Sequence, residues 1–396
     1  MKKIFFNSLI LVIVLILTSC GVPSVEKPDS TNNTSTGKKL SKAEQLIKSM
    51  TLEEKIGQLF IIRPDSLDLN LTTEQISNPK AYGVIELNNQ MIESMKAYHI
   101  GGIVIFQKNI LSPEQLTDFI NEMKKQSEIS LFVGIDEEGG PVSRIANSKG
   151  FDVIRYESME AIGLTKDSKN ARNVGLTIGS YLKQYGFNID FAPVADVNTN
   201  PENIVIGNRS FGSNPALVAE MVSEEIDGFH QAGVMSCIKH FPGHGDTKGD
   251  THKGVVSTEK TWEELKQCEL IPFINASQNT DMIMVSHITT PNITSDGLPS
   301  SLSNEMIEGK LRKEMNYNGV VITDSMAMGA ITQEYTSSTS AIKAILAGAD
   351  IILMPENFVE AYNGIYNAVK DGTISEKRID KSVLRILSLK EKYKGK

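Results

Sequence analysis

From residue 41 onward the apolar and polar positions alternate between two regimes. Short runs rich in isoleucine and valine are separated by longer stretches of helical period, the pattern of βα units that build a parallel sheet. Eight runs read as strands, at 57–62, 102–106, 131–135, 189–193, 234–238, 282–285, 320–323 and 351–354. Eight such units predict an α/β fold of the (β/α)8 TIM-barrel type. An open, doubly wound sheet is the competing arrangement, because periodicity alone does not show closure. Ser112 followed by Pro113 reads as an N-cap and first helical residue, 340–347 as a further helix, and 376–392 as a closing amphipathic helix. With no internal repeat and no second folded region after the eighth run, 41–396 is expected to form one catalytic domain.

The first twenty residues follow a different pattern. Lys2 and Lys3 precede an apolar run over 4–17, interrupted only by Asn7 and Ser8, and the run stops at Leu17-Thr18-Ser19-Cys20. This is a signal-peptide layout, with an apolar stretch too short for a comfortable transmembrane helix. The ending resembles the bacterial lipobox, which implies removal of 1–19 and a lipid on Cys20; an ordinary cleaved signal and an uncleaved anchor are the other readings. Residues 20–40, dominated by Ser, Thr, Asn, Pro and Gly, read as a flexible tether. The expectation is an exported body held at the cell membrane by its lipid.

Composition narrows the partners. The chain has 396 residues, 40% hydrophobic and 22% charged, enough to bury a sizeable core. Lys and Arg number 40 against 48 acids, a net charge of −8, and no basic run is interleaved with aromatics, so nucleic acid is not an expected partner. Removing 1–19, which carry Lys2 and Lys3 and no acid, leaves −10. Cys20, Cys237 and Cys268 fit neither a zinc spacing nor a disulfide framework.

In a barrel, chemistry sits past the C-terminal ends of the strands. Reading there gives Arg63, Asp136-Glu137-Glu138, Asp196, Lys239-His240, His287, Asp324 and Glu356. Two segments are the most specific: Lys239-His240-Phe241-Pro242-Gly243-His244-Gly245-Asp246-Thr247, continuing to Asp250-Thr251-His252, and Val320-Val321-Ile322-Thr323-Asp324-Ser325-Met326. With Ile135-Asp136-Glu137-Glu138-Gly139-Gly140 and Asn208-Arg209-Ser210-Phe211-Gly212, they resemble glycoside hydrolase family 3, in particular its bacterial β-N-acetylglucosaminidases. The resemblance runs over roughly 41–390, with the motifs in the family's order.

Retaining glycoside hydrolysis needs a carboxylate nucleophile and a proton donor near the leaving oxygen. Asp324, directly after an apolar strand, is held on a rigid element as a nucleophile requires; a helix-capping aspartate is the other reading. The resemblance implies the nucleophile. His252, with an intrinsic pKa of about 6.5, can give and take a proton near neutrality, and Asp250 can fix its tautomer. A solvated loop histidine is the alternative. Asp250-Thr251-His252 resembles the family's Asp-Ser-His, which implies an acid/base dyad. Asp136, Arg144, Arg209, Lys239 and His240 offer acceptors and donors for sugar oxygens, and the resemblance carries these five over as substrate contacts. For Arg144 a surface salt bridge stays open. The family usually shows Asp-Gln-Glu-Gly-Gly-Arg, whereas this chain has Glu137 and Pro141, departures that bear on local loop shape. His244 and Asp246 read as loop-shaping, and His287 as either structural or reactive.

His240, His244, Asp246, Asp250 and His252 include enough donors for zinc. Pro242, Gly243 and Gly245 make a turn, however, so His240 and His244 do not share a helical face, and no recognised ligand spacing is present. Neither metal nor cofactor is expected, and no protein partner. The resemblance implies a retaining exo-β-N-acetylglucosaminidase that removes terminal non-reducing N-acetylglucosamine from peptidoglycan fragments, a small carbohydrate or muropeptide substrate. A lipid-anchored sugar-binding protein without catalysis and a β-glucosidase of the same family are the rival readings.

Overall fold

The computed structural model describes residues 40–395. The signal-peptide reading, Cys20 and the tether up to Lys39 lie outside the described residues. Eight parallel strands form one sheet: β1 (Phe60–Ile62), β2 (Gly102–Val104), β3 (Phe132–Ile135), β4 (Ile189–Asp190), β5 (Met235–Phe241), β6 (Met282–Val285), β7 (Val320–Thr323) and β8 (Ile352–Leu353). Each pairs with its neighbours in sequence, and β1 pairs with β8 through Phe60 opposite Ile352. The β7–β8 seam is made by a parallel bridge between Ile322 and Ile351 and by the Thr323 N–H donating to the Ile351 carbonyl at 3.0 Å. The sheet is therefore a closed (β/α)8 barrel. A doubly wound sheet would reverse its strand order at a switch point, and this one never does.

Almost every strand residue is buried, as expected of strands covered by helices outside and by packed side chains inside. The helices start where the sequence signals place them. Pro113–Lys125 opens with Ser112 accepting from the Gln115 N–H, and Glu376–Lys392 has the expected bounds. The 340–347 helix begins three residues earlier, as Ser337–Ala347, because Thr336 supplies the cap.

Two strand boundaries differ instructively. The first three residues of the 57–62 run do not extend the strand. A Thr51/Glu54 capping box starts a helix, Leu52–Gly57, whose last residue meets the Tyr98 carbonyl so closely that a Cβ there would lie 2.0 Å from that oxygen. The 234–238 run continues to Phe241, so Lys239 and His240 lie within β5 rather than beyond it. The register shifts between Ile238 and Phe241, and this irregularity turns both polar side chains into the barrel mouth.

The opposite end of the barrel is closed by the terminal helices. Lys390 reaches under β2, donating to Gln58 Oε1 at 2.7 Å and the Gly101 carbonyl at 2.8 Å, with its ammonium 4.7 Å from the centre of the Phe132 ring. Lys42, in the first helix (Lys42–Ser49), pairs with Glu391 at 2.7 Å, which places that helix at the same end. Among the described residues no helix is long and apolar enough to cross a membrane.

Candidate active site

The C-terminal ends of the strands open into a cavity of about 470 Å3 lined by Asp136, Arg144, Arg209, Lys239, His240, His252 and Asp324. Of the eight site residues expected from sequence, only Asp250 is not part of the lining; it sits behind His252.

Asp324 follows β7 directly, its N–H donating to the Val285 carbonyl at 2.8 Å and its Oδ1 accepting from the Ser325 N–H at 2.7 Å. It caps no helix: the next one, Gly329–Thr332, has Met328 at its N-cap and no side-chain cap bond. Burial works against ionisation here, yet His240, His287 and the Ser325 N–H together hold the carboxyl below the ordinary aspartate range. Behind it, buried His287 bonds Ser301 Oγ at 2.7 Å and the Ser325 carbonyl at 2.9 Å. Both ring nitrogens are engaged, and burial lowers its pKa although the Asp324 charge opposes this, so the ring braces the backbone beside Asp324.

A chain of alternating charge crosses the cavity floor. Lys239 Nζ lies 2.8 Å from Asp136 and 2.6 Å from Glu138, and Glu138 takes Arg209 in a two-pronged contact with both bonds at 2.7 Å. Burial alone would raise the Glu138 pKa, but Arg209 and Lys239 hold it far below the usual carboxylate range. Their fixed charges orient Lys239 and Arg209 before any ligand arrives. Asp196, fully buried, accepts from His240 Nδ1 at 2.6 Å and from the His244 N–H at 2.6 Å. His240 therefore keeps its proton on Nδ1 and turns Nε2 toward the cavity.

The His252 loop is docked from two sides. His252 Nδ1 lies 2.7 Å from Asp250 Oδ1, which also accepts the His252 N–H at 2.9 Å. Although burial opposes it, these bonds keep Asp250 below the usual aspartate pKa. Thr251 Oγ1 contacts His244 Nε2 at 3.3 Å, and the His252 carbonyl accepts from the Gly329 N–H at 3.2 Å. The hydroxyl of Thr251 is the part that makes this contact, so threonine serves here as serine would. His252 keeps 65% of its side chain in solvent, Asp250 only 22%.

Glu137 shows what the departure from the family pattern does. In extended backbone Asp136 and Glu138 point one way and Glu137 the other. It is fully buried, accepting the N–H groups of Arg144, Ile145 and Ala146 at 2.6, 2.8 and 2.9 Å and the Tyr181 hydroxyl at 2.9 Å. The carboxylate gathers the loop that carries Arg144, and Pro141 sits in the turn of the short hairpin Glu137–Gly139/Val142–Ser143. Arg144 itself approaches Asp136 at 3.7 Å and faces the cavity, which replaces the surface salt bridge left open by the sequence.

Sequence reading assigned no role to Glu138 or Asp196. Both stood at strand ends, and the two-residue alternation beside Asp136 was the signal for Glu138. Among the described residues no cluster of three or more His, Cys, Asp or Glu is arranged to hold a metal. His240 Nδ1 is taken by Asp196 and the two His244 nitrogens by Thr247 and Thr251.

Residues 51–389 match the model of the glycosyl hydrolase family 3 N-terminal domain. The chain is 31% identical over 329 residues to beta-hexosaminidase A of Pseudoalteromonas piscicida, covering 76% of this chain and 55% of that one. It is 32% identical over 306 residues to beta-hexosaminidase LpqI of Mycobacterium tuberculosis, covering 74% and 76%. A solved family 3 β-N-acetylglucosaminidase from Paenibacillus sp. FPU-7 superposes with a TM-score of 0.79 at 35% identity, over 87% of this chain and 63% of that one. The chain thus spans little more than half of the Pseudoalteromonas protein and under two thirds of the Paenibacillus one.

Proposed function

Because the chain belongs to glycosyl hydrolase family 3, we propose that it is a retaining exo-β-N-acetylhexosaminidase that removes terminal, non-reducing N-acetylglucosamine from peptidoglycan fragments. The observation that carries this reading is the meeting, in one barrel-mouth cavity, of a charged Asp324 on a strand end and a His252–Asp250 pair on a loop. Three relatives named for hexosaminidase or N-acetylglucosaminidase activity support the sugar.

In this mechanism Asp324 attacks the anomeric carbon from below, forming a glycosyl-enzyme ester. His252 Nε2–H protonates the leaving oxygen, while the Asp250 carboxylate holds Nδ1–H and stabilises the charge on the ring. The neutral imidazole then takes a proton from water, which attacks the ester and frees Asp324. Asp136, Lys239, His240, Arg209 and Arg144 hold the sugar oxygens. A barrel that holds its nucleophile rigidly while its proton carrier rides a partly solvated loop suits this division, since the carrier must meet first the leaving oxygen and then the incoming water.

The test is hydrolysis of p-nitrophenyl N-acetyl-β-glucosaminide by the protein from Gly21, beside an Asp324→Ala control and the matching β-glucoside. Release that requires Asp324, prefers the N-acetyl sugar and gives the β-anomer first supports the reading. No release from folded protein moves the weight to a sugar-binding role. Labelling with a 2-fluoro sugar that fails to mark Asp324 would instead assign the nucleophile to the substrate's acetamido group. We further propose that the body is exported and lipid-anchored at Cys20; labelled palmitate incorporated by the wild type and absent from Cys20→Ala checks this.

A further inference from the structure

A buried carboxylate that the proposed mechanism leaves unused lies beneath the root of the His252 loop. Glu269, in the turn between the helices Trp262–Lys266 and Ile271–Ala276, is fully buried, and its Oε2 has no hydrogen-bond partner among the described residues. Its Oε1 is 2.5 Å from Lys260 Nζ. The stem of Glu269 packs against the turn that follows β5: a Cβ on Gly243, whose φ is +129°, would lie 2.7 Å from the Glu269 Cβ. The same Lys260 ammonium lies 3.1 Å from Asp246 Oδ2. Asp246 opens the segment that ends in Asp250 and His252, and its Oδ1 accepts from the Thr199 hydroxyl at 3.0 Å.

A single cation therefore stands between two carboxylates. Burial opposes the charge on Lys260, and Glu269 and Asp246 outweigh it, holding the ammonium above the ordinary lysine pKa. Without the cation, the two carboxylates face each other across its place. Which of them gives way is decided by burial. Glu269 is enclosed and wedged against Gly243, whereas Asp246 keeps 35% of its side chain in solvent and can swing out. The loop moves with it. The far end of that loop is tied separately, by Thr251 to His244 at 3.3 Å and by the His252 carbonyl to the Gly329 N–H at 3.2 Å.

We propose that Lys260 is a positioning residue for His252: anchored on Glu269, it pins Asp246 and so sets where the 246–252 loop leaves the barrel and where the imidazole meets the leaving oxygen. This role rests on the glycosidase reading and deepens it, because it gives the proton donor a fixed base. In the sequence Asp246 read only as loop-shaping, and neither Lys260 nor Glu269 stood in a motif.

The test compares Lys260→Met with the wild type on two substrates, the p-nitrophenyl N-acetyl sugar and a disaccharide of N-acetylglucosamine, whose leaving sugar needs a proton. On the disaccharide kcat is expected to fall by about tenfold to 10²-fold with KM nearly unchanged, the cost of misplacing a catalytic group by about 1 Å. On the aryl sugar, which leaves without help, the loss should stay under about threefold. Lys260→Arg keeps a cation between the two carboxylates and should recover most of the loss. In a His252→Ala background Lys260→Met should cost the disaccharide nothing further, because a residue that acts through His252 has nothing left to position. Asp246→Asn, which leaves the buried Lys260–Glu269 pair intact, should show the same leaving-group pattern and carries the test if Lys260→Met does not fold. Equal losses on both substrates, or a loss that persists at full size without His252, overturns the proposal. If His252→Ala itself lowers both substrates equally, the acid assignment falls and this role with it. If His252→Ala spares the aryl sugar while Lys260→Met does not, only the positioning role falls.

Discussion

Neighbouring carboxyls in this molecule do different work because their surroundings differ. Asp136 and Glu138 face cations, and those beside Glu138 hold its carboxyl well below the usual range. Glu137 turns inward, where burial raises its pKa despite four hydrogen bonds to it. Glu137→Ala strips the acceptor from three backbone N–H groups and a tyrosine hydroxyl, which should cost about 3 kcal/mol or more. Because the loop so released carries Arg144, KM for the N-acetyl sugar should rise more than kcat falls; urea denaturation and steady-state kinetics separate the two effects. His252→Ala should lower kcat about 10²–10⁴-fold on a disaccharide with a poor leaving group and far less on the p-nitrophenyl sugar, whose aglycone leaves without help. Equal losses on both would mean that His252 is not the acid. The alternation of 136, 137 and 138 was readable from sequence, but the counter-charges were not. Which acid meets Lys239 or Arg209 depends on strands far apart in the chain.

Among the elements, the loop after β5 and the turn after β7 depend on each other through backbone contacts. The Gly329 N–H meets the His252 carbonyl, and a Cβ on residue 329 would lie 2.7 Å from that oxygen. Gly329→Ala should therefore push the His252 loop outward while leaving the barrel core intact. The expectation is a loss in kcat/KM of about tenfold or more with an unchanged urea midpoint, since misplacing a catalytic group by about 1 Å can cost about 10²-fold. A fall in stability without a kinetic loss would show that the contact is only structural. Apolar runs located all eight strands, but Lys239 and His240 ended the run within β5, because the hydrophobic pattern reports what is buried in apolar surroundings. A polar pair buried against Asp136, Glu138 and Asp196 is invisible to it.

At the scale of the whole molecule, closure was the step periodicity could not supply, and the β7–β8 seam supplies it. The closing helix brings a liability with it. Among the described residues Lys390 is buried with no carboxylate in ion-pair distance, and burial lowers its pKa to about 7 from 10.5 in the free chain. Between those values the unfolded chain binds more protons, so this group's contribution to stability rises as pH climbs from about 7 to 10.5 and is least below that window. Lys390→Met should flatten that part of the curve, by up to about 1.4 kcal/mol per pH unit. Urea midpoints of both proteins at pH 7 and 9.5 measure it, and parallel curves would refute the buried-ammonium account.

The pairing of Lys42 with Glu391 has a consequence for reach. It fixes the start of the folded body at the end of the barrel opposite the cavity, beside Lys390 and the strand N-termini. If the body is tied down through Cys20, the 21 residues from Gly21 to Ser41 reach at most about 75 Å when fully drawn out. An anchor at that distance would set how far the mouth travels, limiting it to polymer ends within a fixed radius.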